Sequence, residues 1–305
     1  MKLTPEQLFE RQSWTLDRKI EESQHRIEQW FGWWRQQGRG VYVSFSGGKD
    51  STVLLHMVRN NPFLKGEDIT AVFVDTGLEF PEIREFVKTV PDVVWLRPKM
   101  SFLEVIRTYG WPVVSKEVSE KIREIRTTKS DKLRNKRMYG DEKGNGRLPI
   151  KWRYLIDAPF PISEKCCDVM KKNPVKAYER ETGRAPYVGT MAGESRLRLM
   201  TYLQRGCNSF EGTRPMSTPM SFWLESDVWG YIRHYGLKYA SVYDHGEDRT
   251  GCLFCLFGAH QHEEVRYDRL ARTHPKLHAY LKNVLGIEEP LRWVRKAAET
   301  SQEKP

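Results

Sequence analysis

The stretch Ser44-Phe45-Ser46-Gly47-Gly48-Lys49-Asp50-Ser51-Thr52 gathers two glycines, a lysine, a carboxylate and several hydroxyls into one turn. It follows the β-prone run Val41-Tyr42-Val43 and opens a run with helical spacing, Ser51 to Val58. Gly47 and Gly48 let the backbone turn tightly and approach a ligand without a Cβ in the way. The helix that follows offers unpaired N–H groups and a positive dipole end. Such a strand–turn–helix is a cradle for phosphate. The order Ser-Gly-Gly-Lys-Asp-Ser differs from the Walker loop, which places four residues between its glycines before Lys-Ser/Thr. Backbone amides of residues 46–51 would hold a phosphate group. Lys49 would neutralise charge developing on it, and Asp50 is placed to help hold Mg²⁺ bridging phosphate oxygens.

The loop resembles the PP-loop of the ATP pyrophosphatases, a family that cleaves ATP between its α and β phosphates. The next apolar strand, Ile69–Val74, ends in Asp75-Thr76-Gly77-Leu78-Glu79-Phe80-Pro81-Glu82, which resembles the Asp-Thr-Gly-x-x-Phe-Pro-Glu signature of the phosphoadenosine phosphosulfate (PAPS) reductase family. Gly189 to Arg196, containing Glu194-Ser195, loosely resembles that family's Glu-Ser stretch. Pro219-Met220, Trp223, Asp227-Val228-Trp229 and Tyr231-Ile232 are similar to its Pro-x-x-x-Trp-x-x-x-Asp-Val-Trp-x-Tyr-Ile segment. The resemblance covers about residues 39–258. It implies ATP bound by Ser44, Ser46, Gly47, Gly48, Lys49, Asp50, Ser51, Asp75, Thr76, Gly77, Gly189, Glu194 and Arg196, with Lys49, Asp50 and Ser51 in the chemical step. Arg196 and Arg198 are suited to grip phosphate through a bidentate fork. Trp223, Trp229 and Tyr231 are expected to pack in the core.

Five cysteines occur, at 166, 167, 207, 252 and 255. The chain opens Met-Lys-Leu-Thr-Pro-Glu with no long apolar run, so a cytoplasmic, reducing setting is expected and structural disulfides are not. Cys252-Leu-Phe-Cys255 has metal-ligand spacing and Cys166-Cys167 is an adjacent pair. Read alone, the set allows buried free thiols, zinc or an iron–sulfur cluster; zinc usually takes pairs two to four residues apart, which adjacent cysteines fit poorly. The family adds that Cys-Cys followed about eighty residues later by Cys-x-x-Cys is similar to the cluster arrangement of adenylylsulfate reductases. Here 84 residues separate Cys167 from Cys252. The resemblance thus implies a [4Fe–4S] cluster on Cys166, Cys167, Cys252 and Cys255, with Cys207 a plain thiol. No cysteine lies after Cys255, whereas the assimilatory reductases of the family carry a redox cysteine near their C-terminus. Reductase activity is therefore not the first expectation.

Elements must carry these groups. Buried strands at 41–45, 69–74, 93–96 and 187–190, alternating with helical runs, predict an α/β fold: a doubly wound, mostly parallel, Rossmann-like sheet. Thr4-Pro5-Glu6-Gln7 reads as a capping box opening a helix to about Gln37, whose aromatic end packs on the main domain. The expected organisation is an N-terminal helical segment (1–38), the PP-loop domain (39–240) and a C-terminal Cys-x-x-Cys helical extension (241–305). In the last, Glu263–Arg272 reads as helical, and His260 and His262 as ordinary polar residues. The 305 residues are 39% hydrophobic and 30% charged, and no stretch approaches a membrane span. The formal net charge is +10, and residues 116–153 carry 13 Lys/Arg against 6 Asp/Glu. Its middle, 127–147, reads as a mobile loop or insert. A basic segment of this kind suits a phosphate backbone.

Together these features predict an ATP pyrophosphatase that adenylates an acceptor, a nucleic acid (DNA or tRNA), for iron–sulfur-assisted sulfur transfer. This is the logic of tRNA thiolation and of the ATP-pyrophosphatase component of DNA phosphorothioation. A cysteine desulfurase is the expected sulfur donor, no membrane is involved, and a homodimer is open. A nucleotide-sulfate reductase using another thiol and a non-enzymatic nucleotide or nucleic-acid sensor are the alternatives.

Overall fold

The computed structural model describes residues 3–212, 214–261 and 266–302. His262 and Glu263 lie outside them; the helix expected there is described over Arg266–Thr273. The strands are β1 (Val41–Ser44), β2 (Thr70–Val74), β3 (Val93–Leu96), β4 (Val113–Val114), β5 (Ala185–Val188), β6 (Asn208–Ser209), β7 (Met216–Ser217) and β8 (Leu256–Phe257). The chain divides into two compact units. One comprises Met1–Asp75, Phe80–Leu96 and Val175–Thr250; the other comprises Thr76–Glu79, Arg97–Pro174 and Gly251–Pro305.

The first unit is built on a six-stranded sheet in the order β3-β2-β1-β5-β7-β6. The pairs from β3 across to β7 are parallel and β6–β7 is antiparallel. The strands are apolar on both faces because helices cover both, as buried parallel strands require: Val41, Tyr42, Val43, Ala71, Val72 and Phe73 are all buried. The sequence-derived fold class holds. The chain runs outward from β1 to β2 and β3 on one side, and β5 joins β1 on the other. The loop after β1 therefore opens at the point where strand order reverses, the usual ligand position in such sheets. The fourth strand lies two residues earlier than expected because Pro186 is accommodated in it. β7 pairs with β5 only at Tyr187, so no ladder bond on that side asks for the N–H that Pro186 lacks.

The capping box at Thr4 forms, with Gln7 N–H donating to Thr4 Oγ1 and Thr4 N–H to Gln7 Oε1. The helix does not run on to Gln37. It stops at Gln12 and a second helix, Leu16–Gln36, starts from a new cap, Thr15, which accepts from Arg18 N–H. Trp30, Phe31 and Trp34 are buried on the second helix. Trp223 and Tyr231 are core residues as expected, and Trp223 Nε1 donates to Ser23 Oγ at 2.9 Å.

The second unit is mainly helical, with the short parallel pair β4–β8. Val114 in β4 holds φ 62°, which for a β-branched residue is strained. Its carbonyl accepts from Gly258 N–H, just beyond the Cys-x-x-Cys turn. The expected mobile loop over 127–147 is instead a helix, Asp131–Tyr139, capped by Ser130 and stopped by Gly140 at φ 94°. The turn after it is closed by the Asp141 carboxylate, which accepts from Lys143 and Asn145 N–H.

Candidate functional site

The loop after β1 takes its shape from side chains within it. Ser51 Oγ accepts the Ser46 N–H at 3.2 Å and donates to the Gly48 carbonyl at 2.9 Å, drawing the turn closed under the first residues of the helix Lys49–Arg59. Gly47 holds φ 72°, and a Cβ there would stand 2.6 Å from Val87 and 2.9 Å from Ile83. Gly48 caps the helix with no side chain, and a Cβ on it would meet Thr250 Oγ1 at 2.6 Å. Gly189, just past β5, packs against the Asp50 backbone. Thus Ser46, Gly47, Gly48, Lys49, Asp50, Ser51 and Gly189 are gathered at one edge of the sheet, and Ser44 closes β1 below them.

Lys49 is buried, with Nζ 3.1 Å from Glu225 Oε1, 3.7 Å from Asp50 Oδ1 and 3.3 Å from the Asp248 carbonyl. Burial works to lower its pKa, but the negative charge of Asp50 and Glu225 outweighs this and leaves it raised and cationic. The Lys49 N–H donates to Tyr243 Oη at 2.8 Å. Burial pushes the Asp50 carboxyl up, opposed by Lys49 and reinforced by the carboxylates of Glu194 and Glu225. Asp50 Oδ1 is buried without a hydrogen bond. A buried carboxylate oxygen left in that state, among other acids, fits a cation such as Mg²⁺. Among the described residues no three His, Cys, Asp or Glu side chains are drawn close enough to hold a metal by themselves, so phosphate oxygens would have to supply much of the coordination.

The other expected nucleotide residues are distributed. Asp75 is buried at the end of β2 and accepts from Arg84 Nη2 at 2.9 Å. Glu194 accepts from Met191 N–H and pairs with Arg198. Arg196 begins the helix Arg196–Arg205 and is exposed. In the second unit, Glu79 folds its carboxylate back onto the turn, accepting from Thr76 N–H, Thr76 Oγ1 and Leu78 N–H, which orders Thr76-Gly77.

The second unit also carries the thiols. Each of Cys166, Cys167, Cys252 and Cys255 lies within electrostatic reach of the other three. Burial, then Cys252, Cys167 and Cys255, pushes the Cys166 thiol well up. Cys255 is pushed up to about 12 by burial and Cys252, although Phe257 N–H donates to its sulfur. Burial also raises Cys252, opposed by a hydrogen bond from Lys171. For Lys171, burial works to lower the pKa, but Cys252 and Glu79 raise it, and it remains a cation. Cys166 and Cys167 start the helical run that continues through a π-turn at Asp168–Lys172 into the helix Asn173–Thr182. Among the described residues the four sulfurs are not drawn into one ligand sphere; by donor chemistry alone, thiols approached by an ammonium and an amide N–H suit a soft cationic centre such as an iron–sulfur cluster. They do not suit magnesium or calcium. Cys207 lies in the other unit, fully buried, and burial pushes it up to about 12.

Sequence reading missed Tyr243, Thr250 and Glu225, which stand nearly two hundred residues from the loop they touch and carry no local signal. It also missed Lys171, for which a signal existed: it follows Cys167 by four residues, one helical turn. In the basic segment, structure separates two kinds of charge. Lys121, Arg123, Arg134 and Arg137 are paired with Glu117, Glu164, Asp131 and Glu124, and Arg126 donates to four backbone carbonyls. Lys129, Lys132, Lys136, Lys143, Arg147 and Lys151 are exposed.

With fold and loop in place, the class is a PP-loop α/β protein. Residues 40–258 match the phosphoadenosine phosphosulfate reductase domain, and the chain belongs to that family. It is 27% identical over 255 residues to the uncharacterized protein MJ0066 of Methanocaldococcus jannaschii, covering 80% of this chain and 41% of that protein. It is 27% identical over 120 residues to the adenosine 5'-phosphosulfate reductase of Allochromatium vinosum, covering 38% of this chain and 46% of that one. The chain thus spans less than half the length of the first curated relatives it matches. Among solved structures, the PAPS reductase of Candida auris in phosphate complex aligns at a TM-score of 0.42 and 17% identity, covering 83% of this chain and 97% of that one. No helix among the described residues is long and apolar enough to cross a membrane.

Proposed function

We propose that this chain is an ATP pyrophosphatase that adenylates an oxygen of a nucleic acid, DNA or tRNA, so that sulfur can replace it. The observation that carries the reading is the loop 46–51. Its turn is closed by Ser51, its glycines are packed where no Cβ fits, and it opens a helix at the strand-order switch of a parallel sheet. In the reaction ATP and the acceptor oxygen give an acceptor–AMP ester and pyrophosphate. The amides of 46–51 would bind the leaving pyrophosphate, Lys49 would balance its charge, and Asp50 would help hold Mg²⁺, which neutralises phosphate charge when bound. Hydrosulfide, or the outer sulfur of a persulfide from a donor such as a cysteine desulfurase, then displaces AMP and forms the C–S or P–S bond; with a persulfide, a second thiol acts as the two-electron reductant that cleaves the remaining S–S bond and leaves as disulfide. Cys166, Cys167, Cys252 and Cys255 would hold a [4Fe–4S] cluster, which supplies sulfur-binding or redox chemistry when bound. Lys171 and the Phe257 amide stabilise negative charge on its thiolates. The exposed lysines and arginine of 129–151 would meet the nucleic-acid backbone.

The alternative, a nucleotide-sulfate reductase, has the family match in its favour. Cys207 does not suit it as nucleophile, because the thiol is buried and held protonated.

The test is anaerobic purification with iron and sulfide analysis, then assay of AMP and pyrophosphate with and without DNA or tRNA. About four irons per chain and nucleic-acid-dependent AMP, abolished in Ser51→Ala, are expected. Sulfite release from a nucleotide sulfate, without pyrophosphate, would move the reductase ahead.

A further inference from the structure

The backbone N–H and the ammonium of Lys49, donors suited to phosphate oxygens, are taken by oxygens of residues far along the chain. Tyr243 Oη takes the Lys49 N–H at 2.8 Å, the amide that opens the helix. The Asp248 carbonyl and Glu225 Oε1 take its ammonium at 3.3 and 3.1 Å. Thr250 Oγ1 sits 3.3 Å from Tyr243 Oη, over Gly48. Three of these oxygens come from one segment, 239–250, which lies on the loop as a strap.

A phosphate oxygen and Tyr243 Oη cannot both occupy the position in front of that amide. Ala240, Val242 and Glu247 of the strap are buried, whereas 244–246 and 248–249 are exposed, and short turn hydrogen bonds within the strap hold much of its backbone. The Tyr243 ring rests edge-on against Trp229, 5.5 Å between centroids, and near Tyr239. Its hydroxyl is held protonated, chiefly by burial, and is a neutral stand-in for an anion.

We propose that Tyr243 is a gating residue of the nucleotide site: its hydroxyl keeps the place of a phosphate oxygen at the Lys49 amide, and nucleotide binding displaces it together with the strap 239–250. This rests on the loop being the phosphate site. Tyr243 and Asp248 take the Lys49 amide and ammonium, and these are the hydrogen bonds that a nucleotide phosphate must replace.

The experiment is calorimetric titration of the full chain with Mg-ATP and with a non-hydrolysable α,β-methylene analogue, for wild type, Tyr243→Phe and Ser51→Ala. Phenylalanine keeps the ring packing and removes the competing oxygen. The loss of one hydrogen bond in the empty state predicts binding about fivefold tighter. Hydrogen exchange of wild type gives a reading that needs no variant: amides of 243–250 should exchange faster with nucleotide bound. Unchanged or weaker binding by Tyr243→Phe, or greater protection of 243–250 on binding, would overturn the gate and make Tyr243 a ligand or a bystander. Absence of nucleotide binding in wild type and Tyr243→Phe alike would instead overturn the reading of the loop, and the gate with it.

Discussion

At Gly47 two constraints coincide, a φ of 72° and the methyl groups of Val87 and Ile83 where a Cβ would go. Gly47→Ala should therefore lose about 2 kcal/mol, the usual size of left-handed strain plus overpacking. A thermal melt with and without ATP checks this. An unaltered melting temperature would mean that the helix carrying Ile83 and Val87 yields easily. Cys207 offers a second test at the same scale. With its thiol buried and its pKa pushed up by that burial, iodoacetamide should not label it until the chain unfolds. Labelling of native protein at Cys207 would restore it as a candidate nucleophile. Much of this scale was legible beforehand. Gly47, Gly48, Lys49 and Ser51 announce themselves because their functions depend on the local backbone and neighbours a few positions away. Tyr243 and Glu225 do not, because they reach Lys49 from elements far along the chain, and only the fold brings them there.

Among the elements, the parallel strands were readable because burial on both faces leaves a continuous apolar run, and β5 was displaced only by its tolerated Pro186. The helix Asp131–Tyr139 was misread as a loop because it buries none of its residues, so it has no apolar stripe to read. What forms it is local: the Ser130 cap, the Arg134–Asp131 pair and the Gly140 stop. The two sets of cations around it should behave differently. Replacing Lys129, Lys132 and Lys136 together by Gln removes exposed charge only. If they meet nucleic acid, the slope of log affinity against log salt should fall by about three, with stability unchanged. Arg137→Gln should act oppositely, because it leaves half-buried Glu124 with only its longer, 4.0 Å pairing to Arg123. A stability loss of about 1 kcal/mol or more is expected, with little change in the slope. Filter binding across a salt series and a urea titration separate the two outcomes. No salt-dependent affinity in wild type would reduce the segment to a solvated surface.

The whole molecule divides its tasks between units that are interleaved in sequence. The phosphate-type loop is in one, and all four paired thiols are in the other. Within its unit, a centre bound by Cys166, Cys167, Cys252 and Cys255 would tie together two chain segments 84 residues apart. Ligation of this kind is folding free energy, since the unfolded chain has no preformed site. The four thiols are buried or half-buried within electrostatic reach of one another, and burial disfavours the thiolates that ligation would stabilise. Loss of the centre should therefore loosen one unit and leave the other intact. Hydrogen exchange on anaerobically loaded protein, before and after oxidative removal of iron, reads both at once. Protection should fall in the segments around 113–127, 150–174 and 251–260. It should persist in β1, β2, β3 and β5, and ATP should still protect the loop 46–51. Equal loss of protection in both units would mean that the thiol set supports the whole chain. No loss in either would mean that the four cysteines are ordinary core thiols.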